Sequence, residues 1–431
     1  MTSTSAPSTD AREHALDLGE FVAASPSSFH AVATATDRLS AAGYSPLDES
    51  DDWSLEPDGK YFVQRDGALI AFALPGDVSA ATGFRILGAH TDSPSFKLKP
   101  HPDFSTAGWK QANVEIYGGP LLNSWLDREL RFAGRISDRA GREYLVSTGP
   151  IARIPQLAIH LDRGVNEGLK LDKQVQVQPI VGTAAAAGDA AGTGILSVLA
   201  KQAGIAVEDI AGADVVVADT QAPRLFGDAE QFLASGRLDN LSSVHAGLMA
   251  LLDTRADGAI PMLAAFDHEE IGSGSRSGAA GPFLEDVLVR INAGLGGDAV
   301  IYRRAIAESW CVSSDAGHLV HPNYQGHHDP INRPAPGRGP LLKINANQRY
   351  TTDAPGTAMW MQACADAGVS TQEFVSNNQV PCGSTIGPIT ATRLGIRTVD
   401  VGLGLLSMHS AREMCHIEDA LALRQAIAAF F

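Results

Sequence analysis

Apolar residues recur at helical spacing from Ala11 to Ala24, and this periodicity predicts an opening helix. A second helix is expected to start at Ser25-Pro-Ser-Ser28, with Ser25 as cap and Pro26 at its first position, and to end near Gly43. The pattern then shortens into compact apolar runs. Tyr61–Gln64, Ala68–Leu74 and Phe84–Ala89 read as strands, and the last delivers His90 at its carboxyl end. The same texture returns late in the chain. Met262–Phe266, Trp310–Ser313, Gln372–Val375 and Ile396–Val401 read as strands, and Ser242–Leu252, Pro282–Ile291 and Ile417–Phe431 as helices. Buried strands alternating with helices predict an α/β fold with a mostly parallel central sheet covered on both faces.

Between Phe96 and Gly236 the texture differs. Alternating segments such as Val114-Glu-Ile-Tyr117, Leu130–Ile136 and Val175-Gln-Val-Gln-Pro-Ile180 predict half-exposed strands. They surround an alanine- and glycine-rich stretch, 182–194, expected to be a surface loop. The block holds His160 and no cluster of chemical residues. The expectation is therefore a β-rich domain, 96–236, inserted into an α/β domain made of 1–95 and 237–431.

Composition narrows the function. A chain of 431 residues with 44% hydrophobic content is long enough for two or three domains with a large core. A formal net charge of −16 disfavours a nucleic-acid partner, because no basic stripe exists to neutralise phosphates. The four cysteines (Cys311, Cys364, Cys382, Cys415) form no Cys-x-x-Cys pair and fit free thiols in a reducing compartment. No signal-peptide pattern opens the sequence, and no apolar run approaches the roughly 18 residues that span a bilayer. A cytoplasmic protein without a membrane partner is expected.

The chemistry lies in five places set in glycine- or serine-rich sequence: His90 in Gly88-Ala-His-Thr-Asp92, Asp239 in Arg237-Leu-Asp-Asn240, Glu269-Glu270 in Asp267-His-Glu-Glu-Ile-Gly272, Asp315 in Ser313-Ser-Asp-Ala-Gly317, and His409 in Ser407-Met-His-Ser410. Taken singly, most have plain structural explanations. His90-Thr-Asp92 fits a turn with a capping aspartate, Asp239 a helix cap, Asp315 a turn, and His409 a packed histidine. Glu269-Glu270 resists this account, since four ionisable residues in a row ending a buried strand need something positive to neutralise them. Jointly, two imidazoles and several carboxylates are what two divalent cations sharing a ligand require. Oxygen and imidazole donors without cysteine suit zinc, manganese or cobalt. Asp92 lies two residues from His90 and would accept its other ring N–H, and the extra glutamate can serve as a base. No Gly-x-Ser-x-Gly elbow points to a serine hydrolase.

These motifs extend into longer ones: Gly88-Ala-His-Thr-Asp-Ser-Pro-Ser-Phe-Lys-Leu-Lys-Pro100, Tyr117-Gly-Gly-Pro120, Trp125-Leu-Asp-Arg128, Ile154–Leu161, Ser235–Leu241, Phe266–Ser273, Ser314–Tyr324, Leu342–Tyr350 and Leu406–Cys415. Through them nearly the whole chain resembles the aspartyl aminopeptidases of metallopeptidase family 18, which are co-catalytic zinc exopeptidases. The resemblance implies that His90, Asp239 and Asp315 hold one metal ion and that Asp239, Glu270 and His409 hold the other, with Glu269 as general base. It implies that His318, Lys343 and Tyr350 contact substrate. It also implies that His160 reaches the active site of a neighbouring subunit, as substrate contact or metal ligand, within a dodecamer built from dimers. Two segments depart from the family pattern, the plain loop 182–194 and the loosely similar 326–338, and neither contains a proposed ligand. The implied activity is removal of an unblocked amino-terminal Asp or Glu from peptides. A broad-specificity dinuclear aminopeptidase or amidohydrolase, and a non-catalytic scaffold on the same fold, are the alternatives. Because a chain at −16 repels acidic peptides at long range, an acidic preference needs a local cation. Lys343 is the candidate, against a plain role as a snorkelling surface lysine.

Overall fold

The computed structural model describes residues 7–184 and 194–431. Its largest sheet has the strand order Ser45–Pro46, Lys60–Arg65, Ala68–Ala73, Ile260–Phe266, Phe84–His90, Trp310–Ser314, Arg397–Gly402, Leu341–Lys343, Gln372–Phe374. The four central strands, Ile260–Phe266 through Arg397–Gly402, are mutually parallel. Antiparallel pairings flank them on both sides, so the sheet is mixed around a parallel centre.

Side chains alternate faces along a strand, and here both faces are apolar. Leu87, Ala89, Leu263, Ala265, Val312 and Val399 pack with the helices Ser28–Ala41, Leu238–Asp253, Ala354–Asp366 and Ile417–Phe430. Their neighbours Ile86, Met262, Ala264 and Cys311 pack on the other side with Phe283–Gly294, Ala299–Ala307 and Ile386–Leu394. The registers Phe266 with His90 and Ser313 with Gly88 bring the carboxyl ends of these strands to one edge of the sheet. In open α/β sheets that edge is where ligands bind.

A second, antiparallel sheet closes on itself. Its strands run Ile210–Asp219, Ser95–Thr106, Trp109–Tyr117, Ile180–Thr183, Ala152–Arg153 and Glu129–Asp138, and the last pairs back to the first along most of its length. Phe96, Phe132, Leu130, Val215 and Val217 fill the core of this barrel. Strands Arg224–Phe226 and Phe232–Ser235 lie within the 96–236 block, yet they pair outside the barrel. They form a third sheet with Glu413–His416, Gly404–Leu406 and Gly317–His318.

Several local expectations change. The second helix runs Ser28–Ala41 with Ser27 as its cap, because Ser25 already closes the first helix, Thr9–Ala24. The expected strand Val175–Ile180 survives only at Ile180. The Asp172 carboxylate accepts the N–H groups of Gln174 and Val175 and bends this segment into a turn. The helix expected from Ser242 begins at Leu238, with Asp239 and Asn240 in non-helical conformation inside its first turn. The expected loop 182–194 lies largely outside the described residues.

Candidate metal centre

The parallel strands deliver the acidic and imidazole groups. His90 ends its strand, Glu269-Glu270 follow the turn after Phe266, and Asp315 follows Ser314. Asp239 enters from the start of its helix. His409 comes from the hairpin between Gly404–Leu406 and Glu413–His416, where Ser407 and His409 have φ of 59° and 65°.

The two imidazoles address different oxygens of one carboxylate. His90 Nε2 lies 3.4 Å from Asp239 Oδ1 and 3.6 Å from Asp315 Oδ1. His409 Nε2 lies 3.4 Å from Asp239 Oδ2 and 3.5 Å from Glu270 Oε2. The two sets abut, since His90, Asp239 and Glu270 each offer an atom within 4.8 Å of the others. These separations are long for hydrogen bonds. They match donors sharing a cation, because ligands held about 2.1 Å from a tetrahedral ion stand roughly 3.4 Å apart.

Two further observations fit a cation. Asp239 Oδ1 and Glu270 Oε1 are buried without a hydrogen-bond partner, which is costly for charged oxygens. The cluster is also short of positive charge. Burial opposes a charged His409, yet Asp239 and Glu270 lift its pKa to about 10, and His90 is raised in the same way by Asp239, Asp315 and Asp92. Burial, moderated by His90 and reinforced by Asp315, Asp92 and Asp239, pushes Glu269 up to about 7. Burial and then Asp239 raise Glu270 well above the carboxylate range. Protons thus balance charge that metal ions would otherwise balance.

Each imidazole is aimed by its other nitrogen. His90 Nδ1 is 3.0 Å from the Asp92 backbone carbonyl, and His409 Nδ1 is 3.0 Å from the Gly119 carbonyl. With Nδ1–H donating, Nε2 is left to face the carboxylates. The Asp92 side chain stands against the same ring nitrogen and also reaches the glutamate pair. Its carboxylate is 3.4 Å from His90 Nδ1, and it accepts the backbone N–H groups of Glu269 and Glu270 at 3.0 and 3.1 Å.

The cluster floors a cleft of about 730 Å³ whose walls include His318, Lys343, Tyr350, His327 and His328. Lys343 is not a surface lysine. It is 1% exposed, donates from Nζ to the Ala316 carbonyl at 2.8 Å and stands 4.0 Å from Asp315 Oδ2. Apart from the cluster's own carboxylates, the walls carry the Lys343 ammonium and the imidazoles of His318, His327 and His328, and burial holds His318 and His328 below the usual imidazole range. His160 is exposed, and this chain's cleft does not include it.

Sequence reasoning missed Glu413 as a functional residue. Its buried carboxylate accepts the N–H groups of Asp239 and His409 at 3.0 and 2.7 Å, and burial with Asp239 nearby pushes it up to about 8. The available signal was its place, four residues after His409.

Residues 21–431 match the family described as aminopeptidase I zinc metalloprotease (M18). A probable M18 family aminopeptidase 2 of Streptomyces avermitilis is 51% identical over 97% of this chain and 98% of its own, and one of Mycobacterium leprae is 43% identical over 97% and 98%. Among solved structures, a chain in the cryo-EM structure of the Ape4 and Nbr1 complex superposes with a TM-score of 0.94 at 36% identity, covering 98% of this chain and 86% of that one. The S. cerevisiae mApe1 dodecamer gives 0.86 at 28% identity, covering 98% and 97%. On these matches and its buried donor cluster, the chain belongs to the M18 family of zinc metalloprotease aminopeptidases.

Proposed function

We propose that this metal-dependent aminopeptidase removes an unblocked amino-terminal Asp or Glu from peptides, using a dinuclear centre. His90, Asp239 and Asp315 hold one divalent cation, and Asp239, Glu270 and His409 hold the other. The observation that carries the reading is Asp239, whose two oxygens face two different imidazoles at 3.4 Å. Zinc suits the donors and the family, and manganese or cobalt would also fit this donor set.

Bound there, the cations supply Lewis acidity, which acidifies water and withdraws electrons from a carbonyl. The remaining steps fall to the protein. Glu269, with Oε2 4.0 Å from His90 Nε2, takes a proton from the attacking water and returns it to the leaving amine as the peptide bond breaks. Asp92 orients Glu269 and Glu270 by holding both backbone N–H groups. Lys343, with His318 and Tyr350 on the same wall, receives the acidic side chain of the substrate. The products are a free acidic amino acid and a peptide one residue shorter.

The reading includes self-association, with residues 1–95 and 237–431 as the catalytic domain and 96–236 as the inserted assembly domain. An exposed apolar run supports an interface there, with Leu157, Ile159 and Leu161 at 56, 48 and 75% exposure around His160. The solved S. cerevisiae relative is a dodecamer, and the same assembly is proposed here, with His160 completing a neighbour's cleft. A cytoplasmic setting fits the four free cysteines. No described helix is long and apolar enough to cross a membrane.

The test is hydrolysis of an aspartyl chromogenic amide before chelation, after it, and with metal restored. Glu269→Gln should keep its metal content while turnover falls by about two to four orders of magnitude. Faster cleavage of neutral than of acidic substrates would replace the acidic preference with broad specificity. Activity indifferent to chelation would remove the metal mechanism.

A further inference from the structure

One motif enters the account above only through its Gly119 carbonyl: Tyr117-Gly-Gly-Pro120, where the barrel strand Trp109–Tyr117 ends. Tyr117 donates its hydroxyl to Asp92 Oδ2 at 2.8 Å, on the carboxylate that already holds the Glu269 and Glu270 backbones. Two residues on, the Gly119 carbonyl accepts His409 Nδ1–H at 3.0 Å. Leu121 N–H donates to the His409 carbonyl at 2.9 Å, and Ser124 Oγ accepts the Ala411 N–H at 2.9 Å. The glycine between them is required by space and conformation. Gly118 has φ of 69°, and a Cβ there would stand 3.1 Å from the Glu270 Cβ.

One short segment leaving the barrel therefore grips both halves of the donor cluster. It sets the His409 tautomer, pins the His409 backbone from a second direction, and adds a third donor to Asp92. Partners of this kind raise ligand basicity and orient ligand rings. We propose that residues 117–124 of the barrel clamp the metal centre, so that cation binding and docking of the barrel against the α/β sheet are linked equilibria. The proposal rests on the reading that the cluster holds divalent cations. Linkage is reciprocal: if an intact clamp strengthens metal binding, bound metal must strengthen the clamp by the same factor. The barrel thus acts within the centre of its own chain, in addition to any role in assembly.

Tyr117→Phe keeps the ring and removes the hydroxyl. The barrel retains other anchors to the catalytic part, including the Arg135–Asp66 ion pair at 3.0 Å and Arg135 over the Phe29 ring at 4.4 Å, so the variant should remain docked. Zinc affinity, measured by competition with a chromogenic chelator, should fall about 10- to 100-fold, while the metal-free protein still melts cooperatively and at most a few degrees lower, as expected for one lost hydrogen bond. A second measurement needs no variant. On removal of zinc from the wild type, hydrogen exchange should speed up together in peptides covering residues 118–125 and 407–413, the Leu121 amide included. The barrel wall Glu129–Asp138 should keep its protection. Equal zinc affinity in Tyr117→Phe, or Leu121 exchange indifferent to zinc, overturns the clamp. A wild-type chain that takes up no zinc would instead overturn the metal assignment on which the clamp rests.

Discussion

Replacing Lys343 by Met tests the source of an acidic preference on a protein that is itself strongly acidic. The Lys343 ammonium has three N–H donors. One is used on the Ala316 carbonyl at 2.8 Å, and Asp315 Oδ2 at 4.0 Å is beyond hydrogen-bonding range. Two donors are left for a substrate carboxylate, in a pocket where the side chain is 1% exposed and the Tyr350 ring lies 5.2 Å away. A hydrogen bond between charged partners in such a setting contributes roughly 1.5–3 kcal/mol. At about 1.4 kcal/mol per factor of ten, Lys343→Met should lower kcat/KM for aspartyl substrates about 10- to 150-fold. The substitution also leaves the Ala316 carbonyl without its donor, at a cost of about 1–3 kcal/mol in stability that is the same for every substrate. The assay must therefore be a ratio. Aspartyl and asparaginyl p-nitroanilides have nearly the same shape and differ in charge, so their relative kcat/KM isolates the ammonium. An equal loss on both would show that Lys343 supports Asp315 and the fold, and the acidic preference would need another cation.

Asp239→Asn leaves one ligating oxygen where two are present, so metal analysis should find weaker binding at both positions. Two undisturbed tight sites in a metal titration would reduce Asp239 to a helix-terminal residue. His160→Ala and Glu269→Gln, each inactive alone, should regain activity when dissociated and reassembled together if His160 acts across subunits. A fully active monomer in light scattering would end that idea. Stability should fall on acidification through buried His14, whose pKa is held down to about 3 by burial, with the His245 and Arg424 charges adding. The unfolded chain binds this proton below about pH 6.5 and the folded chain only near 3, so the contribution is complete above 6.5 and is lost as pH falls through that window. Between pH 7 and 5 the loss amounts to about 2 kcal/mol. Urea titrations of His14→Gln should show a loss smaller by about that amount, and parallel losses in both proteins would refute it.

The local pattern carried much of this protein. Strands such as Ile260–Phe266 and Phe84–His90 are buried on both faces, so their apolar runs and the helices between them announce a covered α/β sheet. Placement of His90, Glu269, Glu270 and Asp315 just after such runs was legible too, because parallel strands share one carboxyl edge. The cap at Ser27 and the turn at 172–175 were decided by competition among neighbouring serines and by one aspartate side chain, choices that periodicity does not rank. Which carboxylate faces two imidazoles depends on how far apart Asp239, His90 and His409 lie in space, and they are separated by more than a hundred residues of chain. The burial of Lys343 likewise follows from the elements packed around a three-residue strand. The Gly119 carbonyl that aims His409 is a backbone atom, which every residue carries, so no residue type marks it. What the sequence determined alone was the set of chemical groups and the strands that present them, since both depend on residue type and short-range period. Which atoms meet, and so which cluster can hold a cation, was decided by the tertiary structure, because register, barrel closure and hydrogen bonds to main-chain atoms arise only once distant segments are packed together.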